Sequence, residues 1–162
     1  SAIEAALTGH LVLSTVHAPG AALVPHRLLD MSVEPYALAA ALTLVLSQRL
    51  VRQLCSNCRR PATAEEKDSL PPPVREEARV GEGCAECQHT GYRGRLLLSE
   101  LLETSQALHD AIMQRASRRE FLEIAGQEHD IVSMGWDMVR QGLTTGFEVR
   151  RVLGRRTDEI RL

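Results

Sequence analysis

The feature that most constrains the fold of this 162-residue chain is a pair of identical cysteine motifs. Cys55 and Cys58 form one CxxC pair, and Cys84 and Cys87 form a second pair after an insert of 25 residues. Two such pairs can supply four thiolates to one tetrahedral zinc ion, which leaves no open position for a substrate. We therefore predict a structural zinc ion that holds together a segment with little core of its own.

Two other functions are open to a chain with paired cysteines. A thiol redox regulator would need reactive, exposed thiolates, whereas two motifs in tandem favour metal binding. A nucleic-acid-binding zinc domain would need a basic surface and stacking aromatic side chains. The chain has 19 Lys and Arg against 21 Asp and Glu, and only 3% aromatic residues. This composition argues against nucleic acid as a partner, and metal analysis would separate zinc binding from redox chemistry.

The termini and the hydropathy suggest a location. No apolar run approaches the ~20 residues that a membrane span requires, and no basic leader typical of a signal peptide begins the chain. We therefore expect a cytosolic protein with no direct membrane insertion. Because residues 1–7 already have a helical pattern, we also expect the chain to begin inside a folded domain.

The hydrophobic pattern predicts an α/β organisation before the cysteines and a mostly helical one after them. Apolar, β-branched runs predict a buried strand and two further strands, and Gly142 is expected to end a helix. The predicted strands are Leu11–Val16, 50–54 and 95–102. Two early helices are predicted, one over 25–31 and a longer one that begins at Pro35. Leu38, Leu42 and Val45 would share one face of that longer helix. The pairs Thr63/Glu66, Ser117/Glu120 and Thr145/Glu148 have the spacing of capping boxes at helix starts.

Two histidines flank the first predicted strand. His10 precedes Leu11–Val16 and His17 follows it, at a strand end where α/β sheets commonly bind ligands. Taken alone this is a weak signal, because a histidine beside a strand is more often a surface residue. The chain has no GxxxxGKS/T phosphate loop and no other glycine-rich turn before a helix.

The motifs together resemble the ATPases of type II secretion and type IV pilus assembly. The segment around the two histidines is similar to the histidine box of that family, and the similarity extends along the chain in the same order. The matching segments are Ala6–His17, Arg27–Met31, Val33–Pro35, Gln48–Cys55, Gly83–Cys84, Cys87, Thr90–Arg95, Glu100–Leu102 and Gly142–Thr144. The cysteine module points to the secretion and pilus-extension branch, since the retraction motors lack it.

The resemblance implies a fold and a role. The expected domains are the C-terminal part of a RecA-like ATPase core with an incomplete sheet over 1–54, a four-cysteine zinc module over 55–94, and a strand with a helical subdomain over 95–162. Family members are cytoplasmic homo-hexamers, peripheral to the inner membrane, that use ATP and magnesium and act with inner-membrane platform proteins. His10 and His17 would form a wall of the ATP site, with Thr15 a weaker nucleotide contact.

The same resemblance implies that this chain holds only part of an ATP site. The family's phosphate loop, acidic boxes and N-terminal arginines precede the matched region, so we expect no tight ATP binding and no hydrolysis by this chain alone. The alternatives are a non-enzymatic zinc-module adaptor and a nucleic-acid-binding zinc domain. We also expect Cys84→Ser to loosen residues 55–92 while the preceding strand and helix stay folded.

Overall fold

The computed structural model describes residues 2–126, 131–154 and 157 as a mixed α/β protein. Before the first cysteine it has three short helices and a long strand, α1 (Ala2–Leu7), α2 (Val24–Asp30), α3 (Pro35–Ala41) and β1 (Leu44–Leu54). The cysteine module contains β2 (Arg59–Pro61), α4 (Ala64–Asp68) and β3 (Arg79–Gly81). The remaining elements are β4 (Tyr92–Glu103), α5 (Gln106–Met113), α6 (Arg118–Ala125), α7 (Ile131–Arg140) and α8 (Gly146–Leu153).

The four strands form two sheets of two strands each. β1 pairs with β4, and β2 pairs with β3 in antiparallel register with Arg60 opposite Val80. Hydrogen bonds from Thr104 N to Thr43 O and from Cys55 N to Gly91 O lie at opposite ends of β1 and β4. That pattern makes β1 and β4 antiparallel, as in a long hairpin whose connection carries the cysteine module.

The chain divides into two compact units, and both β1 and β4 contribute residues to each of them. Unit 1 contains the described residues of 1–47 and 100–129, and unit 2 those of 48–99 and 130–162. In unit 1, helices α2, α3, α5 and α6 surround a core of aliphatic side chains and Phe121. The buried members of that core are Ala21, Leu29, Leu38, Ala39, Val45, Leu102, Leu108, Ala111, Ile112 and Phe121.

The core of unit 2 is shared between the cysteine module and the last two helices. The insert between the cysteine pairs contributes four side chains, Ala62, Leu70, Val74 and Ala78, to this core. They pack with Val51 and Leu98 from the long strands and with Ile131, Val132, Trp136, Val139, Val149 and Leu153 from α7 and α8. The insert thus has little core of its own, as expected, but it is part of a larger one.

Many of the local signals are confirmed. Thr63 with Glu66 and Ser117 with Glu120 make reciprocal capping boxes at the starts of α4 and α6. Gly142 follows the end of α7 with φ of +65°, a left-handed conformation that glycine adopts without strain. No helix in the described part of the chain is both long enough and apolar enough to cross a membrane.

Three local predictions are wrong. Residues 11–16 form no strand; Leu11 is 90% exposed and Leu13 88% exposed. A strand requires a partner for its backbone groups, and no described strand pairs with this segment. The helix from Pro35 ends at Ala41, so Val45 does not share its face and lies on β1 instead.

The predicted capping box at Thr145 and Glu148 is only half formed. The Thr145 hydroxyl caps α8, but the Glu148 carboxylate binds Arg52 and Arg151 and not the backbone of Thr145.

Candidate metal centre

The four cysteine sulfurs meet at one point in unit 2. All four Sγ atoms lie within 4.8 Å of one another, the only such group of metal-binding side chains among the residues the structure describes. The Sγ atoms of Cys55 and Cys84 are 3.9 Å apart, those of Cys58 and Cys87 are 3.8 Å apart, and those of Cys84 and Cys87 are also 3.8 Å apart. The structure thus confirms that both CxxC pairs contribute to one cluster.

These separations match a tetrahedral zinc site. Zinc–sulfur bonds of about 2.3 Å in a regular tetrahedron give sulfur–sulfur edges of about 3.8 Å. A disulfide would instead place two sulfurs about 2.05 Å apart, and all four cysteines are free. Four soft sulfur donors at this spacing fit zinc, and a metal bound there would have no open coordination position for catalysis.

Backbone and side-chain amides surround the sulfurs as hydrogen-bond donors. The amide of Gly83 donates to Cys58 Sγ at 3.3 Å, and the amides of Cys84 and Gly91 donate to Cys87 Sγ at 3.2 and 3.3 Å. The Asn57 side-chain amide donates to Cys84 Sγ at 3.4 Å. Such donors stabilise negative charge on sulfur and hold the ligands in place before a metal arrives.

Hydrogen bonding and burial shift the pKa values of these thiols in different directions. The backbone amide of Cys84 lowers the pKa of the Cys87 thiol to about 6. The Asn57 side chain lowers the pKa of the Cys84 thiol, whereas burial raises the pKa of Cys58 to about 12. Hydrogen bonding thus eases the deprotonation of Cys84 and Cys87 to the thiolate form that binds metal, and Cys58 would lose its proton on coordination.

A close backbone crossing of two glycines supports the second cysteine pair. A Cβ atom added at Gly81 would lie 2.3 Å from the carbonyl oxygen of Gly91, and one added at Gly91 would lie 2.7 Å from the carbonyl oxygen of Gly81. Gly91 also has φ of +77°. A side chain at either glycine would collide with the other backbone, and the positive φ of Gly91 also favours glycine. The Gly91 amide meanwhile donates to Cys87 Sγ. Sequence reasoning identified the cysteines but gave Gly81 no role.

The first cysteine pair is also tied to the chain that follows α7. Leu54 N donates to Leu143 O at 2.8 Å, and Arg59 Nη1 donates to Gly142 O at 3.1 Å. Arg52 Nε and Nη2 both bind the Glu148 carboxylate, at 3.0 and 2.8 Å. These contacts attach the end of β1 and the start of β2 directly to the α7–α8 connection and to α8.

Glu148 is a buried carboxylate that sequence reasoning misassigned as a cap. Its side chain is 0% exposed and also binds Arg151 Nε and Nη2 at 2.9 and 2.6 Å. These bonds, first those from Arg151, lower its pKa to about 2. The Arg52 guanidinium lies 4.1 Å from the centre of the Tyr92 ring, whose hydroxyl contacts Thr145 Oγ1 at 2.8 Å. The one signal in the sequence was Arg151, which lies three residues after Glu148 and hence on the same side of a helix.

The histidine segment, residues 10–17, lies in unit 1. His10 is tied to the end of α1: its backbone N–H donates to Ala5 O at 3.1 Å and its Nδ1 lies 3.2 Å from Thr8 Oγ1. Thr15 and His17 are exposed and lie in irregular backbone. The predicted nucleotide contacts are therefore accessible side chains and not parts of the metal cluster.

The chain therefore has a four-cysteine cluster that could hold a metal ion and, apart from it, an exposed histidine segment that is a separate candidate ligand site. The family model described as "Type II/IV secretion system protein" matches residues 1–154. The chain belongs to that family, which confirms the resemblance seen in the motifs.

Sequence comparison with individual proteins gives the same family. The chain is 40% identical to the "Type II secretion system ATPase E" of Vibrio cholerae over 156 residues, covering 93% of the chain and 31% of that protein. It is 41% identical to the "Type II secretion system protein E" of Aeromonas hydrophila, with the same coverage. Identity to the "Type IV pilus assembly ATPase PilB" of Thermus thermophilus is 40%, covering 91% of the chain and 18% of that protein. The chain thus spans about a third or less of the relatives it matches.

Proposed function

We propose that this chain is the zinc-stabilised C-terminal part of an ATPase that powers type II protein secretion or type IV pilus assembly. The observation that carries the proposal is the four-sulfur cluster at tetrahedral zinc spacing, in a chain that belongs to the secretion family. In the proposal, Cys55, Cys58, Cys84 and Cys87 hold zinc, and the metal stabilises unit 2 without taking part in chemistry.

The histidine segment is the proposed contribution to ATP hydrolysis. The histidines His10 and His17, with Thr15 as a weaker contact, would line one wall of a nucleotide site whose other groups come from the RecA-like core of the full-length protein. The working assembly would be a cytoplasmic homo-hexamer at the inner membrane, with magnesium bound to the ATP. The exposure of His17 supports this role, because an accessible imidazole can reach a ligand.

Metal analysis tests the zinc site. We expect about one zinc ion per purified chain and no thiols that react before a chelator is added, because a closed site uses all four sulfurs. Elemental analysis by mass spectrometry and a thiol titration with and without chelator are the measurements. Four reactive thiols and no zinc in the freshly purified protein would contradict the assignment and favour redox chemistry.

The substitution His17→Ala in the full-length protein tests the proposed role of His17 in the nucleotide site. We expect ATP turnover to fall by at least about tenfold, since one hydrogen bond to transition-state charge commonly contributes that much or more. The melting temperature should change little, because His17 is exposed. His109→Ala, which changes a partly exposed side chain on α5, is the control and should leave turnover unchanged. Normal ATP turnover by the His17→Ala protein would contradict a role for His17 in the nucleotide site.

A further inference from the structure

Glu100 on β4 contacts the turn that follows the histidine segment. Its Oε2 accepts a hydrogen bond from the backbone N–H of Ala21 at 3.3 Å, across 79 residues of sequence. Ala21 is fully buried and begins a single 3-10 turn, Ala21–Leu23. Gly20, which precedes it, is extended and has no side chain that could cap the turn. The cap of this turn therefore comes from β4, within unit 1.

A carboxylate is well suited to this position. A buried amide without an acceptor costs free energy, and a charged acceptor makes a stronger hydrogen bond than a neutral one. The bond consequently fixes where the backbone enters the core of unit 1, where Ala21, Ala22 and Leu23 are all buried.

The entry point at Ala21 limits where His17 can lie. Only Ala18, Pro19 and Gly20 separate the two residues, and proline restricts the backbone of that linker. At its other end the histidine segment is held by the hydrogen bonds of His10 to Ala5. Between these two attachments the backbone has no regular structure. Without the bond from Glu100, the C-terminal attachment would lose the polar contact at Ala21.

We infer that Glu100 is a positioning residue for His17. By capping Ala21, Glu100 fixes how far the His17 imidazole can extend into the nucleotide site. The inference rests on the proposed function of His17. Glu100 itself does not touch the nucleotide, and its effect passes through four residues of backbone. Small displacements of a catalytic contact can reduce the rate strongly, so a cap at this distance has a measurable consequence.

The first test compares three variants of the full-length protein in an ATPase assay. Glu100→Ala removes the acceptor and should lower kcat about tenfold, the effect expected of one lost charged hydrogen bond, with a smaller change in KM for ATP. Glu100→Gln keeps an acceptor oxygen and should stay within about threefold of the unmodified protein. Glu103→Ala changes an exposed carboxylate on the same strand and should leave kcat unchanged.

A double-mutant cycle with His17 separates positioning from general damage. If Glu100 acts through His17, Glu100→Ala should lower turnover little further in a His17→Ala background. Full additivity would overturn the inference while leaving the role of His17 intact. Normal turnover of His17→Ala would instead overturn both the proposed function and the inference that depends on it.

Hydrogen exchange gives a readout that does not depend on activity. In Glu100→Ala the amide of Ala21 should exchange about ten times faster, because its acceptor is gone, while the amides of α5 keep their protection. Unchanged exchange at Ala21 would overturn the inference whatever the kinetics show. Loss of protection throughout α5 would mean that the variant unfolds, and Glu100→Gln would then decide: normal exchange and turnover support the cap, and loss of turnover in a folded Glu100→Gln contradicts it.

Discussion

Cys84→Ser should abolish zinc binding and remove the cooperative unfolding transition of unit 2. A structural zinc ion contributes about 10–16 kcal/mol to folding in small zinc-finger peptides, which rivals the whole stability of a typical domain at about 5–15 kcal/mol. Core packing by the insert cannot replace the cluster, because its buried contribution is limited to Ala62, Leu70, Val74 and Ala78, with Val80 partly buried beside them. Three thiolates and a hydroxyl would bind zinc far more weakly.

The structure extends the effect of this substitution beyond the cysteine module. Val51 on β1 and Trp136 on α7 lie in the same core as the insert, so the strand before the first cysteine should loosen together with the module. The sole tryptophan of the chain, Trp136, is 2% exposed, and its fluorescence should shift to longer wavelength when unit 2 opens.

The measurement is urea denaturation followed by Trp136 fluorescence, with zinc content determined on the same samples. Ser56→Ala is the matched control, because Ser56 lies within the cluster between Cys55 and Cys58, is exposed and offers no sulfur. It should retain zinc and the normal midpoint. A Cys84→Ser protein with an unshifted Trp136 transition would show that the cluster is not needed for the unit to fold.

Glu148→Gln should destabilise unit 2 by about 2–4 kcal/mol, somewhat below the usual cost of breaking a fully buried ion pair. The expected cost is below that of a fully buried pair because the side chains of Arg52 and Arg151 are 41% and 51% exposed and can be hydrated after the ion pair is lost. The neutral amide would also direct its own N–H groups toward guanidinium donors. Glu66→Gln is the control: Glu66 pairs with Arg60 on the surface, at 37% exposure, and glutamine preserves its capping box. Its unfolding midpoint should barely change.

The same substitution should change the pH dependence of stability. The arginine contacts lower the pKa of Glu148 from 4.5 to about 2 in the folded chain. A lowered carboxyl pKa adds stability above pH 4.5 and loses it as the pH falls towards 2. Urea midpoints, measured from pH 6 down to the lowest pH at which the protein still holds zinc, should therefore fall less steeply for Glu148→Gln than for the unmodified chain. Equal slopes would mean that Glu148 is not ionised in the folded unit.

Local signals in the sequence predicted much of the helical structure and all four cysteines of the cluster. Capping boxes at Thr63 and Ser117 act within a few residues of sequence, and the structure confirms both. A CxxC pair is likewise a local motif whose two sulfurs face the same metal. Because metal ligands are few and chemically distinct, two such pairs sufficed to predict that distant segments meet at one cluster.

Long-range pairing was not predictable in the same way. The run Leu11–Val16 has the composition of a buried strand, but a strand also depends on a partner strand elsewhere, and none of the described strands pairs with it. Glu148 has the spacing of a capping residue, but guanidinium groups from β1 and α8 bind its carboxylate more strongly than the backbone amide of Thr145 could. In both cases a contact distant in sequence outweighed a correct local propensity.

By itself the sequence determined the family, the four clustered cysteines and the mixed α/β class, because each depends on residue identity at short spacing. Only the tertiary structure decided that the insert and helices α7 and α8 share one core around Trp136. It also decided that Gly81 must approach Gly91, and that Glu100 caps the turn at Ala21. These features depend on backbone segments that meet in space after folding, and apolar or acidic residues carry no chemical mark of which distant partner they will contact.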